Sequence, residues 1–175
     1  MTTYLGSAVK PYEDDGRSVN DEVTSSRQYP DRPIVGVGAV VVVEGKVVLI
    51  RRRFEPMKGH WSLPGGAVEL GETLEECVAR EMQEETGLEV EVGPVIEVFD
   101  RIIKDDESRV EYHYVLVDYL CWPIAGELRA GSDADAAVFV DPSALAPYHL
   151  TQKATAVIER GLQLAQHAPR AARRT

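Results

Sequence analysis

The chain has 175 residues, of which 44% are hydrophobic and 27% charged, the proportions of one ordinary soluble globular domain with a real core. A formal net charge of −10 argues against non-specific binding to a nucleic acid polymer or an anionic membrane, because phosphate polyanions repel such a chain. A small anionic ligand remains open, since a bound divalent cation reverses the local field.

Residues 1–33 are polar and without periodicity, and read as a flexible or surface-wrapped N-terminal arm. They lack a basic segment followed by an apolar one, so no signal peptide is expected. Ile34 to Val43 is a valine-rich strand, too short to span a membrane, and Glu44-Gly45-Lys46 turns it into an antiparallel partner, Val47 to Arg52. Trp61 to Leu63 is a short strand before Pro64-Gly65-Gly66, where paired glycines allow close approach of another group.

A helix is predicted from Thr73, which with Glu76 forms a capping box, to Gly87, which suits a left-handed C-terminal cap. Leu88 to Asp100 is strand, broken at Gly93-Pro94, and Asp105 to Ser108 is a polar turn. Val110 to Trp122 returns as the second arm of a long hairpin, and Ala136 to Val140 is a further strand after the 130–135 loop. Asp141-Pro142-Ser143 opens a helical turn, and Thr151 to Gln166 is an amphipathic helix. A basic tail, 168–175, follows the domain at 34–167. The order gives a mixed α/β domain, with a largely antiparallel sheet and helices packed on it. Cys77 and Cys121 sit among apolar residues and read as buried thiols of a reducing, cytoplasmic compartment.

The chemistry concentrates in the first helix. On a wheel of roughly 100° per residue, Leu74, Cys77, Val78 and Met82 form an inward stripe. Glu81 and Glu85 fall within about 20° of Leu74, and Glu84 about 80° away, so the carboxylates take over the inward face where the apolar stripe ends. Glutamates on a helix are usually a solvated face, but inward carboxylates repel one another and need compensation. A divalent cation supplies it, and carboxylate oxygens with no histidine or cysteine suitably placed beside them suit Mg²⁺ or Mn²⁺ rather than Zn²⁺. Arg80 is placed to hold one glutamate through a bidentate pair, and Glu72 stands at the positive end of the helix dipole.

The segment Gly66 to Leu88 resembles the signature of the Nudix hydrolases, with Gly66, Glu72, Arg80, Glu81, Met82, Glu84, Glu85, Gly87 and Leu88 at all its defined positions. The resemblance spans about residues 34–165. It implies an α/β/α sandwich with a loop–helix–loop motif, and hydrolysis of a nucleoside diphosphate linked to another moiety with Mg²⁺ or Mn²⁺. Glu81, Glu84, Glu85 and the Gly66 carbonyl would be metal ligands, Arg80 would orient Glu81 or its neighbours, and Glu72 would brace the loop. Metal ions would neutralise and align the pyrophosphate and lower the pKa of the attacking water. Glu84 or Glu85 is favoured as general base, with Asp133, Asp135, Glu111 and Asp105 to Glu107 as further candidates.

Substrate contacts are assigned to Arg51, Arg101, Arg109, Tyr112 and His113, as arginines bind phosphate and aromatics stack on bases. The body of the chain resembles the small ADP-ribose pyrophosphatase-like branch, which implies ADP-ribose or a nucleotide sugar as the small-molecule substrate. The alternatives are a house-cleaning pyrophosphatase for oxidised nucleoside triphosphates and, from another class, a catalytically silent ligand-sensing module. Homodimers are common in that branch, and the N-terminal arm is a candidate element of such a pair.

Overall fold

The computed structural model describes residues 27–131 and 133–167. Most of the expected arm, Ser132 of the loop, and the basic tail lie outside the described residues.

Strand β1 (Ile34–Val43) and strand β2 (Lys46–Arg52) form where valine and isoleucine predominate. The turn between them holds Glu44 and Gly45 at φ 48° and 79°, matching the twist of a tight hairpin. The two strands pair only at Val42 with Val47 and Val43 with Lys46, then separate. Residues 64–68 enter the gap along β1: Val37 N–H donates to Gly66 O at 2.8 Å, Ala39 N–H to Pro64 O at 3.0 Å, and Val68 N–H to Val35 O at 3.0 Å. The split thus seats the glycine loop at mid-sheet.

Strand β3 (Trp61–Ser62) pairs with the end of β2. Helix α1 (Leu74–Thr86) leads into strand β4 (Leu88–Lys104), which forms a long antiparallel hairpin with strand β5 (Val110–Gly126). The expected break at Gly93-Pro94 is a register shift between Val92 and Val95, and the strand runs on. A bulge absorbs the proline, which has no N–H for the ladder. Strand β5 lies parallel to β1 from Ile34 opposite Tyr114 to Val41 opposite Cys121, and strand β6 (Ala134–Val140) lies antiparallel on β2. The order is β3-β2-β1-β5-β4, with β6 on β2. Two 3₁₀ turns, Pro142–Ala144 and Ala146–Tyr148, precede helix α2 (Gln152–His167).

Side-chain alternation divides the core. Val37, Ala39 and Val41 of β1 and Val117, Tyr119 and Cys121 of β5 pack with Cys77, Val78 and Met82 of α1. Val40, Val47, Leu49 and Val140 pack on the opposite side with Val157 and Ile158 of α2. The result is an α/β/α sandwich with a mixed sheet. No helix among the described residues is long and apolar enough to cross a membrane.

The end of the expected arm has a definite place at the β4–β5 hairpin tip. Tyr29 N–H donates to Glu111 O at 2.7 Å, its hydroxyl to Asp105 Oδ2 at 2.9 Å, and Gln28 Nε2 donates to Glu111 Oε1 at 2.8 Å.

Candidate active site

Helix α1 is fixed at both ends and along one side. Glu76 N–H donates to the Thr73 hydroxyl at 3.2 Å, while Thr73 N–H donates to Glu76 Oε2 at 2.7 Å, closing the capping box. Gly87, at φ 70°, ends the helix with its N–H on Gln83 O at 3.1 Å. Anchored by Cys77, Val78 and Met82, the helix turns Glu81 and Glu85 inward, 8% and 4% exposed. Glu84 falls at the rim, its side chain 47% exposed.

Arg80 organises the acidic groups. Its Nε and Nη2 donate to the two Glu72 oxygens at 3.1 and 2.7 Å, and its Nη1 donates to Glu81 Oε1 at 2.9 Å and Glu84 Oε2 at 3.2 Å. The bidentate partner is therefore Glu72, not one of the clustered glutamates. Glu72 Oε1 also accepts from Glu69 N–H at 2.6 Å, tying the loop to the helix. The Arg80 hydrogen bonds hold the Glu72 carboxyl down at about 2. Burial acts oppositely on the two inward carboxylates, raising Glu81 and pushing Glu85 up to about 8 against a 2.7 Å hydrogen bond from Gly65 N–H. Burial also lifts the Cys77 and Cys121 thiols to about 12, so both are free, inert core groups.

The glycine loop presses against these carboxylates. A Cβ on Gly66 would lie 2.1 Å from Glu81 Oε1, so only glycine admits that carboxylate beside the backbone. The Gly66 carbonyl already accepts from Val37 N–H, which leaves it one lone pair for a cation. Among the described residues, no three histidine, cysteine or acidic side chains converge as a ready metal cage, and the Arg80 guanidinium spans Glu81 and Glu84. The donor chemistry nonetheless suits a hard divalent cation: all-oxygen groups, two of them carboxylates whose burial favours an added positive charge.

On the α2 side of the sheet lies a cleft of about 410 Å³ whose wall includes Gly65 and Gly66, so the loop is shared between cleft and carboxylates. Arg101 lines it, and so do Arg52, Trp61, Tyr114, Asp118 and Lys153. Arg101 rests on Met57 Sδ, and burial together with the charge of Arg52 lowers its pKa. The Arg52 charge also reaches Glu85, so Arg52 stands at the junction of cleft and acidic cluster.

Four of the expected substrate contacts lie elsewhere. Arg51 is exposed and outside the cleft wall; the register slips between Arg51 and Arg52 opposite β6, and Arg52 is the one that lines the cleft. Arg109 sits at the hairpin tip, 2.8 Å from Asp105 and over the Tyr29 ring. His113 is one residue out of phase with Tyr114, and successive side chains of a strand face opposite ways. Tyr112 stacks on Tyr114 and lines a neighbouring hollow. Of the further base candidates, Asp135 pairs with Arg53 at 3.0 Å, while the Asp133 charge adds to the upward shifts of Glu81 and Glu85. Asp105 and Glu111 are taken up by the hairpin-tip contacts. The signal for Asp118 was present in the sequence: an acidic residue in the middle of an apolar strand, Val115 to Cys121.

A family model described as the NUDIX domain matches residues 32–160. An ADP-ribose pyrophosphatase of Methanocaldococcus jannaschii is 40% identical over 109 residues, 62% of each chain. A putative 8-oxo-dGTP diphosphatase 2 of Mycobacterium tuberculosis is 49% identical over 99 residues, 55% of this chain and 65% of that one. The matched region spans about three fifths of the length of the first of these relatives. Among solved structures, a MutT NUDIX hydrolase from Burkholderia pseudomallei superposes with a TM-score of 0.65 at 32% identity, covering 74% of this chain and 98% of that one.

Proposed function

The chain belongs to the NUDIX family, and on that premise we propose that it is a Mg²⁺- or Mn²⁺-dependent pyrophosphohydrolase of nucleoside diphosphates linked to a second moiety, with ADP-ribose or a nucleotide sugar as substrate. One observation carries the reading. Arg52 and Arg101, two guanidiniums without a carboxylate partner among the described residues, meet at the glycine loop that also abuts the buried Glu81 and Glu85. That is a place for a pyrophosphate between fixed positive charge and an acidic cluster.

Glu81, Glu84, Glu85 and the Gly66 carbonyl would hold the cation, which supplies positive charge to the pyrophosphate oxygens and acidifies water. Arg80 keeps Glu81 and Glu84 at fixed positions, and Glu72 keeps Arg80 in place. Arg52 and Arg101 bind and orient the phosphates. Glu85, with one oxygen on Gly65 N–H, has its second oxygen to take a proton from water, and its raised pKa suits a general base near neutral pH. The domain at 34–167 holds all these groups, and the compartment we assign is cytoplasmic.

A panel of ADP-ribose, nucleotide sugars and nucleoside triphosphates with Mg²⁺ tests this. Water added across the ADP-ribose pyrophosphate gives AMP and ribose 5-phosphate. The second reading, hydrolysis of oxidised guanine triphosphates, is favoured by the relative named for 8-oxo-dGTP and gives a monophosphate and pyrophosphate instead. Folded protein with no turnover of any member would overturn both and leave a ligand-sensing module.

A further inference from the structure

Asp118 is a group that the acidic cluster does not use. It lies at mid-β5, 5% exposed, opposite Gly38 of β1, and lines the cleft. Gly38 makes its room: a Cβ there would lie 2.2 Å from Asp118 Oδ1. The nearby cations are engaged elsewhere. Glu97, across the β4–β5 ladder from Asp118, takes the Lys153 ammonium and, at 2.7 Å, the Arg160 guanidinium. Lys153 also caps the Phe99 ring at 4.4 Å. Among the described residues Asp118 has no hydrogen-bond partner, and burial with the Glu97 charge pushes its carboxyl up to about 6 against Lys153.

A buried carboxylate without partners, open to a cleft, is an acceptor awaiting a donor. The cleft says which donor. Its arginine end, Arg101 opposite Tyr114, lies four residues along β5 from Asp118, roughly 13 Å of strand. Phosphate belongs at that end and is repelled by Asp118. Between the two stand Phe99 and Leu116, with Trp61 also in the wall, an apolar and aromatic lining that suits a flat heterocycle. The Ser62 hydroxyl, buried in the same wall without a partner among the described residues, offers a second polar contact.

We propose that Asp118 is the specificity residue of the cleft: its carboxylate accepts the exocyclic amino N–H of a nucleobase whose ring lies along the Phe99 side. An oxo group at the same ring position would turn lone pairs toward the carboxylate and be rejected. The proposal rests on reading the cleft as a nucleotide site, but it does not require turnover.

Calorimetric titration of the whole protein, without metal, with AMP against IMP, CMP against UMP and GMP against IMP tests it. The amino nucleotide of at least one pair should bind about 10- to 100-fold more tightly, as for a charged hydrogen bond in a buried site. The pair that discriminates identifies the base. Asp118→Ala should bring the ratio near one, and Asp118→Asn, which keeps the volume but adds a donor, should cut it at least tenfold or invert it. No discrimination in any pair, or a ratio unchanged in folded variants, overturns the proposal. Discrimination without hydrolysis of the substrate panel would sink the hydrolase reading and leave this one standing; hydrolysis without discrimination would do the reverse.

Discussion

The Arg80 guanidinium meets the Glu72 carboxylate edge to edge, with Nη2 on Oε1 at 2.7 Å and Nε on Oε2 at 3.1 Å, and reaches Glu81 and Glu84 with its remaining nitrogen. The pair stand eight positions apart in sequence, across loop and helix, so this contact locks the helix entrance to the row of carboxylates. Lysine carries the charge but not the planar fork. Arg80→Lys should therefore lower unfolding free energy by about 1–3 kcal/mol in urea titrations. It should lower kcat/KM by about 10- to 100-fold, as loss of a ligand-orienting partner does. With Glu72→Gln the effects should be clearly non-additive. Additive losses would mean that the two side chains act separately.

Glu81 and Glu85 give metal-linked stability a direct readout. A ligand that binds only the folded state raises stability with its concentration, by about 2.7 kcal/mol at a hundred times its dissociation constant. Mg²⁺ or Mn²⁺ should therefore raise the Tm of the wild-type protein. Glu85→Gln replaces a buried ionisable carboxyl with a neutral amide of similar volume, so the metal-free variant should be at least as stable as wild type. Its metal-induced Tm rise should shrink and its turnover should be lost. A full metal response with wild-type kcat at saturating Mg²⁺ would count against Glu85 as a ligand or base.

How much of this was legible beforehand follows from where the sequence carried a one-sided pattern. The bounds of β1, the Thr73–Glu76 capping box and the Gly87 cap were readable because local chemistry alone decides them. The inward turn of Glu81 and Glu85 was readable from their phase with Leu74. The cleft contacts were not. Val47 to Ile50 is buried on both faces of the sheet, so no alternation shows which of Arg51 and Arg52 faces the cleft, and the register slip between them decides it. Arg109 looked like a phosphate ligand because its partners Asp105 and Tyr29 are joined to it by folding. Asp118 is one position of an alternating strand in the sequence, and its cleft exists only once β1 is laid parallel to β5.

The adjacent glycines of the loop should respond differently to the same methyl group. At Gly65, with φ at 147°, a Cβ would lie 2.1 Å from the Val37 carbonyl oxygen and 2.8 Å from Gly38 Cα, backbone atoms of β1 that cannot step aside. Gly65→Ala should cost ~2 kcal/mol or more from backbone strain and overpacking. At Gly66 the obstacle is the Glu81 carboxylate, the end of a flexible side chain. Gly66→Ala should leave the Tm within a few degrees of wild type while displacing Glu81 and reducing activity and metal response together. Equal destabilisation by both substitutions would place Glu81 in a rigid structural role rather than a movable one.

Asp118 predicts a pH dependence whose sign is fixed by its burial. Its folded pKa of about 6 lies above the ordinary value of 3.8, so the folded state holds the proton more tightly than the unfolded state does. The stabilising contribution of the protonated carboxyl is complete below about 3.8 and is lost as pH rises through about 6. A shift of this size corresponds to at most about 3 kcal/mol. Asp118→Asn keeps the shape but cannot ionise, so it escapes that loss. Denaturant titrations across pH should show the variant close to wild type near pH 4 and increasingly more stable toward pH 7, with the difference levelling off above about 6. Glu97 and Lys153 are the charged groups that act on Asp118, and Glu97, paired with Lys153 and Arg160, is held below the ordinary glutamate range by the Lys153 hydrogen bond. A carboxylate that costs stability in the free protein but governs base selection is one kept for its ligand. A variant less stable than wild type at pH 7 would instead make Asp118 a structural partner of Lys153.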